Sequence, residues 1–97
     1  MQQIRVGVAG ATGYAGQELV RLLGRHPNAN LTVAMASTDA DKTLPQFAGI
    51  WDGEISAFSI NELAKQTDTV FLALPEATAA EVGPVLLSHG VRVFDLS

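Results

Sequence analysis

Ile4-Arg5-Val6-Gly7-Val8-Ala9-Gly10-Ala11-Thr12-Gly13-Tyr14-Ala15-Gly16 is a β-favouring run that breaks into a glycine-rich turn. From Tyr14 the period changes. Leu19, Val20, Leu22 and Leu23 gather on one side of a helical wheel, and Gln17, Glu18, Arg21 and Arg25 on the other. The stretch therefore reads as strand, turn and helix in direct succession. Gly10 permits the tight strand-to-helix turn, Gly13 removes the Cβ that would hold a diphosphate away from the backbone, and Gly16 lets the helix lie close to the sheet. The free N–H groups and positive dipole end of the helix then face an anion. A glycine turn alone could simply pack a helix on a sheet. Between a first strand and a first helix it points to a dinucleotide.

Working outward, the helix should stop near Gly24 to His26, because Pro27 disfavours helix in the residue before it. Leu31 to Ala36 reads as a second strand with little polar alternation, as expected where helices cover both sheet faces. Ser37 to Gly53 holds turn formers without periodicity and reads as a long loop, with Trp51 as a cover over apolar surface. Ile55 to Ser59 is a short edge strand, and Ile60 to Gln66 a brief helix with Asn61 as its cap. Thr69 to Leu74 is a continuous apolar run of central-strand character, ended by Pro75. A helix over Thr78 to Ser88 follows, kinked or split at Gly83-Pro84 and capped by Gly90, and Val91 to Leu96 forms the last strand. This alternation predicts an α/β fold, a doubly wound parallel sheet of the dinucleotide-binding type in the order 3-2-1-4-5.

Composition narrows the function classes. The 97 residues allow one domain at most, which is read as a dinucleotide-binding domain over residues 1–97 with no room for a catalytic or substrate domain. A net charge of −4 with only six Lys and Arg argues against a nucleic-acid surface. The absence of cysteine excludes disulfides, thiolate metal sites and a thiol nucleophile within these residues, and no metal-ligand spacing occurs. The longest uncharged stretches, Val6 to Gln17 and His26 to Thr38, are too short for a membrane span and are broken by Gly, Pro or Asn. The glycine-rich start also lacks a signal-peptide core, so a cytoplasmic location is expected. A strand at the end leaves a sheet edge or face uncovered, from which self-association into a homo-oligomer is expected.

NAD binders place an acidic residue at the end of the second strand to hold the ribose 2′-hydroxyl. Here that position is Ser37-Thr38, two neutral hydroxyls that can hydrogen-bond a 2′-phosphate, with Lys42 or Arg21 available for positive charge. NADP(H) is therefore favoured, although Asp39 and Asp41 lie just beyond. If strands 1 and 4 are neighbours, Leu74 and Pro75 fall beside the glycine turn, at the nicotinamide or the pyrophosphate. Glu76 reads as a first-turn helix residue in preference to a catalytic acid, and His26 and His89 as helix C-terminal residues in preference to catalytic or metal-binding ones.

Gly10-Ala11-Thr12-Gly13-Tyr14-Ala15-Gly16-Gln17-Glu18-Leu19, with Leu22-Leu23 and His26-Pro27, resembles the opening of the N-acetyl-γ-glutamyl-phosphate reductases. Val70 to Pro75 and Val93 to Ser97 resemble the same family's fourth and fifth strands, so the likeness spans nearly the whole chain. The resemblance implies NADPH-dependent reduction of an acyl phosphate to an aldehyde in arginine biosynthesis. In that family a cysteine attacks the activated carbonyl, phosphate leaves, and hydride reduces the resulting thioester with a histidine as acid or base. Cysteine and histidine both come from a later part of the family chain, so the acyl-phosphate substrate is expected only in a full-length enzyme, and no catalytic residue is assigned here.

What carries over is the cofactor half. It places Gly10, Thr12, Gly13, Tyr14, Ala15 and Gly16 at the phosphates, Ser37 and Thr38 near the adenosine ribose, and Leu74 with Pro75 beside the nicotinamide. Two positions depart from the family pattern: Thr38 stands where Arg is common, and Glu76 where His often follows Leu-Pro. Aspartate-semialdehyde dehydrogenase shares the chemistry, but its turn usually lacks the Tyr-Ala-Gly-x-Glu-Leu continuation. A stand-alone nucleotide-sensing module would also carry no catalytic group. A short-chain dehydrogenase would need a Tyr-x-x-x-Lys pair, and the single tyrosine is Tyr14, in the turn.

Overall fold

A computed structural model describes residues 3–11, 13–36 and 55–96. Among the described residues, five strands form one parallel sheet: β1 (Ile4–Ala9), β2 (Ala29–Ala36), β3 (Ile55–Ala57), β4 (Thr69–Leu72) and β5 (Arg92–Asp95). Three helices among the same residues accompany them: α1 (Tyr14–Arg25), α2 (Ile60–Gln66) and α3 (Glu76–Ser88). The strand order is β3-β2-β1-β4-β5, the doubly wound order expected from the alternation of elements.

Two apolar layers flank the sheet. On one face α1 packs Val20, with Leu19 and Leu23 partly buried, against Val8, Leu31, Ala34, Ala36 and Ile55. On the other, Leu63 of α2 and Ala79, Val82 and Leu86 of α3 pack on Val33, Met35, Val70 and Leu72. Leu63, Leu72 and Leu86 are fully buried. Burial of a side chain of this size stabilises by about 1.5–3 kcal/mol. Because both faces of β2 are covered, its sequence shows no alternation.

Several details differ from the sequence reading. Leu22 is exposed, because it lies two residues from buried Val20 and so on the opposite side of α1. The cap of α2 is Ser59, whose Oγ accepts the Glu62 N–H; Asn61 lies inside the helix. β3 ends at Ala57 and β4 at Leu72, both two residues early, while β2 begins two residues early at Ala29. α3 starts at Glu76, with Pro75 as its cap, and runs through Pro84 as one element. β1 and β2 change register between Val6 and Gly7, where Val6 faces Leu31 and Gly7 faces Val33. The extra residue, Thr32, donates its hydroxyl to the Gln66 carbonyl at 2.7 Å.

At the opposite end of the sheet from the glycine turn, Arg5 and Asp68 join the starts of β1 and β4. The guanidinium donates to both Asp68 carboxylate oxygens, at 3.0 and 3.3 Å, and the Arg5 N–H donates to Oδ2 at 3.1 Å. Asp68 returns its own N–H to the Arg5 carbonyl at 2.7 Å. These bonds hold the Asp68 carboxyl below the usual carboxylate range, the Arg5 side chain having the larger effect and its backbone N–H the next.

Candidate cofactor site

β1 ends at Ala9 and the chain turns through Gly10 with φ +90°, a left-handed conformation that favours glycine. A Cβ on Gly10 would also be driven into the Ala73 carbonyl. The turn is seated on β2: the N–H groups of Gly10 and Ala11 both donate to the Met35 carbonyl, at 2.8 and 3.0 Å. Ala11 is fully buried beneath it. Gly13 donates to the Gly10 carbonyl at 3.3 Å and accepts from Gln17 N–H at 2.9 Å, which closes the turn into α1.

Gly16 meets the turn more than the sheet. Its Cβ would strike the Gly10 carbonyl and lie 2.8 Å from Ala11 Cα, so the helix start rests on the backbone of its own turn. Gly13 is different in kind. Its backbone is extended, and among the described residues a Cβ there would meet only the Gly10 oxygen, at an ordinary contact distance of 3.7 Å. The described residues therefore leave room for a side chain at this position, unlike at Gly10 and Gly16.

The N-terminus of α1 is also left electrically open. No side chain caps it among the described residues, and no acidic residue lies in its first turn. By contrast, α2 has Ser59 as cap and Glu62 in its first turn, and α3 has Glu76. Tyr14, Ala15 and Gly16 are the first helical residues, and their N–H groups have no carbonyl four residues earlier in the helix. These donors and the helix dipole suit an anion. Tyr14 and Ala15 are exposed beside them, Tyr14 almost completely at 96%.

The pairing of β1 with β4 brings the second predicted segment to the same place. Ala73 N–H donates to the Ala9 carbonyl at 2.8 Å, and the Leu74 side chain comes within 3.3 Å of where a Gly10 Cβ would stand. Leu74 is half-buried and Pro75 exposed, at the mouth between the two turns. Gly10, Gly13, Tyr14, Ala15, Gly16, Leu74 and Pro75 are thus gathered at the carboxyl ends of β1 and β4. Thr12, Ser37, Thr38, Asp39, Asp41, Lys42 and Trp51 lie outside the described residues. Two backbone groups of the site had no sequence signal, the carbonyls of Met35 and Ala73, since a main-chain oxygen is common to every residue type.

Glu76 is an exposed first-turn residue of α3, as expected for a dipole partner. His89 ends α3, with Nδ1 at 2.8 Å from the Val85 carbonyl. His26 ends α1, but its Nδ1 accepts the Asn28 N–H at 3.1 Å and so holds the following turn instead of the helix carbonyls. No cluster of metal-ligating side chains occurs among the described residues.

Residues 5–97 match the family model described as semialdehyde dehydrogenase, NAD binding domain. The chain belongs to that family. Relatives of this semialdehyde dehydrogenase NAD-binding domain include proteins named N-acetyl-gamma-glutamyl-phosphate reductase. The one from Campylobacter curvus is 42% identical over 99 residues, covering 100% of this chain and 30% of the relative. That from Desulforamulus reducens is 41% identical over 97 residues, covering 96% of this chain and 28% of the relative. The chain thus spans less than a third of the length of these relatives. Among solved structures, aspartate semialdehyde dehydrogenase with NADP from Candida albicans superposes with a TM-score of 0.73 at 22% identity, over 97% of this chain and 29% of the other. That likeness establishes the shared dinucleotide-binding fold. No helix among the described residues is long and apolar enough to cross a membrane.

Proposed function

We propose that this chain is the NADP-binding part, residues 1–97, of an N-acetyl-γ-glutamyl-phosphate reductase, an enzyme that reduces N-acetyl-γ-glutamyl phosphate to the semialdehyde with release of phosphate. The observation that carries the reading is the uncapped start of α1 behind an open Gly13, in a chain about 40% identical to reductases of that name. The first-turn N–H groups of α1 hold the diphosphate. Ser37 and Thr38 bond the 2′-phosphate, where a carboxylate would repel it. Leu74 and Pro75 form the apolar side of the cleft, limiting water near the nicotinamide. NADPH, when bound, supplies the hydride. The thiol that receives the acyl group belongs to a part of the enzyme other than these residues, which contain no cysteine.

Thermal unfolding with each coenzyme tests the cofactor half. NADPH is expected to raise the melting temperature more than NADH at equal concentration, with a stabilisation of about 2.7 kcal/mol once free NADPH reaches a hundred times its Kd. Equal shifts, or a larger one with NADH, refute the choice of NADP. The same preparation is expected to show no acyl-phosphate turnover.

A further inference from the structure

The two turns at the mouth of the cleft differ in charge. Over residues 10–17, which make the glycine turn and the first turn of α1, no side chain is ionised at neutral pH. Over residues 73–79, which make the second turn and the start of α3, Glu76 is the one charged side chain. It is exposed, and it makes no hydrogen bond or ion pair among the described residues. The first carboxylate along α1, Glu18, is taken by Arg21 at 3.0 Å. Asp95 ends β5, one strand further from the glycine turn than β4, the strand that leads to Glu76.

A carboxylate in the first turn of a helix complements the positive end of its dipole, and Glu76 does this for α3. Its place in the fold gives it a second neighbour. The start of α3 is drawn against the glycine turn by the Ala73 N–H on the Ala9 carbonyl at 2.8 Å, and the Leu74 side chain comes within 3.3 Å of where a Gly10 Cβ would stand. Glu76 follows Leu74 and Pro75 directly, and successive Cα atoms stand about 3.8 Å apart. Its charge is therefore fixed close to whatever these two apolar residues border.

NADP+ and NADPH carry the same diphosphate and the same 2′-phosphate. They differ in the nicotinamide ring, which is a cation in NADP+ and neutral in NADPH. Repulsion between Glu76 and the phosphates is common to both forms and drops out of the ratio of their affinities. What survives is the attraction of the carboxylate for the charge of the ring. Two unit charges about 8 Å apart, roughly two residue spacings, attract by an amount worth about twofold in affinity at the dielectric constant of water, and about thirtyfold at the effective value of about 20 met near a protein surface. Even the weaker limit is measurable.

We propose that Glu76 selects the oxidation state of the bound coenzyme, favouring the cationic ring of NADP+ over the neutral ring of NADPH, so that spent coenzyme competes with fresh. This rests on the reading that Leu74 and Pro75 border the nicotinamide. The test is the dissociation constant of each form on the full-length polypeptide encoded by the gene, NADPH by its fluorescence and NADP+ by calorimetry. In Glu76→Gln the preference for NADP+, taken as the ratio of the two constants, is expected to fall by at least about threefold, and further in Glu76→Lys. Glu81→Gln removes the same charge further along α3, also from an exposed position, and is expected to leave the ratio unchanged. A fall of less than about threefold in both Glu76 variants overturns the proposal and leaves Glu76 a dipole partner only, whose loss lowers the melting temperature without moving the ratio. An equal change in Glu81→Gln overturns it as well, by assigning the effect to net charge. Binding of both forms with an unmoved ratio sinks the role of Glu76 and spares the cofactor reading, whereas binding of neither form to the unsubstituted protein sinks the cofactor reading itself.

Discussion

Three glycines of one turn stand in different surroundings. Gly10 is held at a positive φ against the Ala73 carbonyl, and Gly16 lies against the turn's own backbone. Substitution at either is opposed by the fold. At Gly13 the extended backbone accepts any residue, and among the described residues a Cβ would meet only the Gly10 oxygen at 3.7 Å. Gly13→Val is therefore expected to fold and to lose at least about tenfold in NADPH affinity, or 1.4 kcal/mol, whereas Gly16→Ala is expected to lose stability before affinity can be measured. Titration by coenzyme fluorescence alongside far-UV circular dichroism separates the two. Unchanged affinity in folded Gly13→Val would remove the diphosphate from this turn. The spacing of the three glycines and the different part expected of each were legible in the sequence, but the atoms that Gly10 and Gly16 meet were not. The Ala73 carbonyl is brought to Gly10 from 63 residues away by the pairing of β1 with β4.

Among the elements, α3 shows how a helix end is specified. Its C-terminus closes with Val91 N–H on the Leu86 carbonyl at 3.1 Å and Gly90 N–H on the Leu87 carbonyl at 3.0 Å, with Gly90 at φ +80°. Nothing lies within 4 Å of where a Gly90 Cβ would stand, so Gly90→Ala meets only the left-handed backbone cost. The expected loss is about 1–2 kcal/mol, read as a lower melting temperature with coenzyme affinity per folded molecule unchanged. A neutral substitution would mean that the helix ends differently. Gly90 was legible as a cap because glycine follows the last apolar position of the helix. The cap of α2 was misread, since Ser59 and Asn61 are both good caps and the choice turns on where the backbone leaves its extended conformation. Pro84 was expected to kink or split α3. The helix is not split at it, because Val82, Gly83 and Leu86 on either side are buried against the sheet, and tertiary packing outweighs one lost backbone bond.

For the molecule as a whole, the starts of β1 and β4 are tied together by Arg5 and Asp68, 63 residues apart. Asp68 titrates lower in the folded chain than in the unfolded one, so the ionised carboxylate favours folding. That contribution is complete above the ordinary carboxylate value of about 4, and it is lost as pH falls through the lower folded value. The melting temperature is expected to drop on acidification below about pH 4, and Asp68→Asn to lower it at neutral pH and flatten the acid limb. Both side chains are about half exposed, so added salt should shrink the difference. An acid limb unchanged in Asp68→Asn would assign the acid sensitivity to other carboxylates.

The sequence by itself determined the strand order and the place of the glycine turn, because apolar period, glycine and proline act over a few residues and leave their mark in the chain. It also determined the chemical character of the Ser37-Thr38 position, which follows from residue type alone. Only the tertiary structure decided that Gly13, among the described residues, has room for a side chain, that Thr32 bulges β2, and that Phe71 and Phe94 stack on each other. Each of these depends on which distant strand or helix lies alongside, a relation set by the packing of the whole sheet and carried by no local pattern.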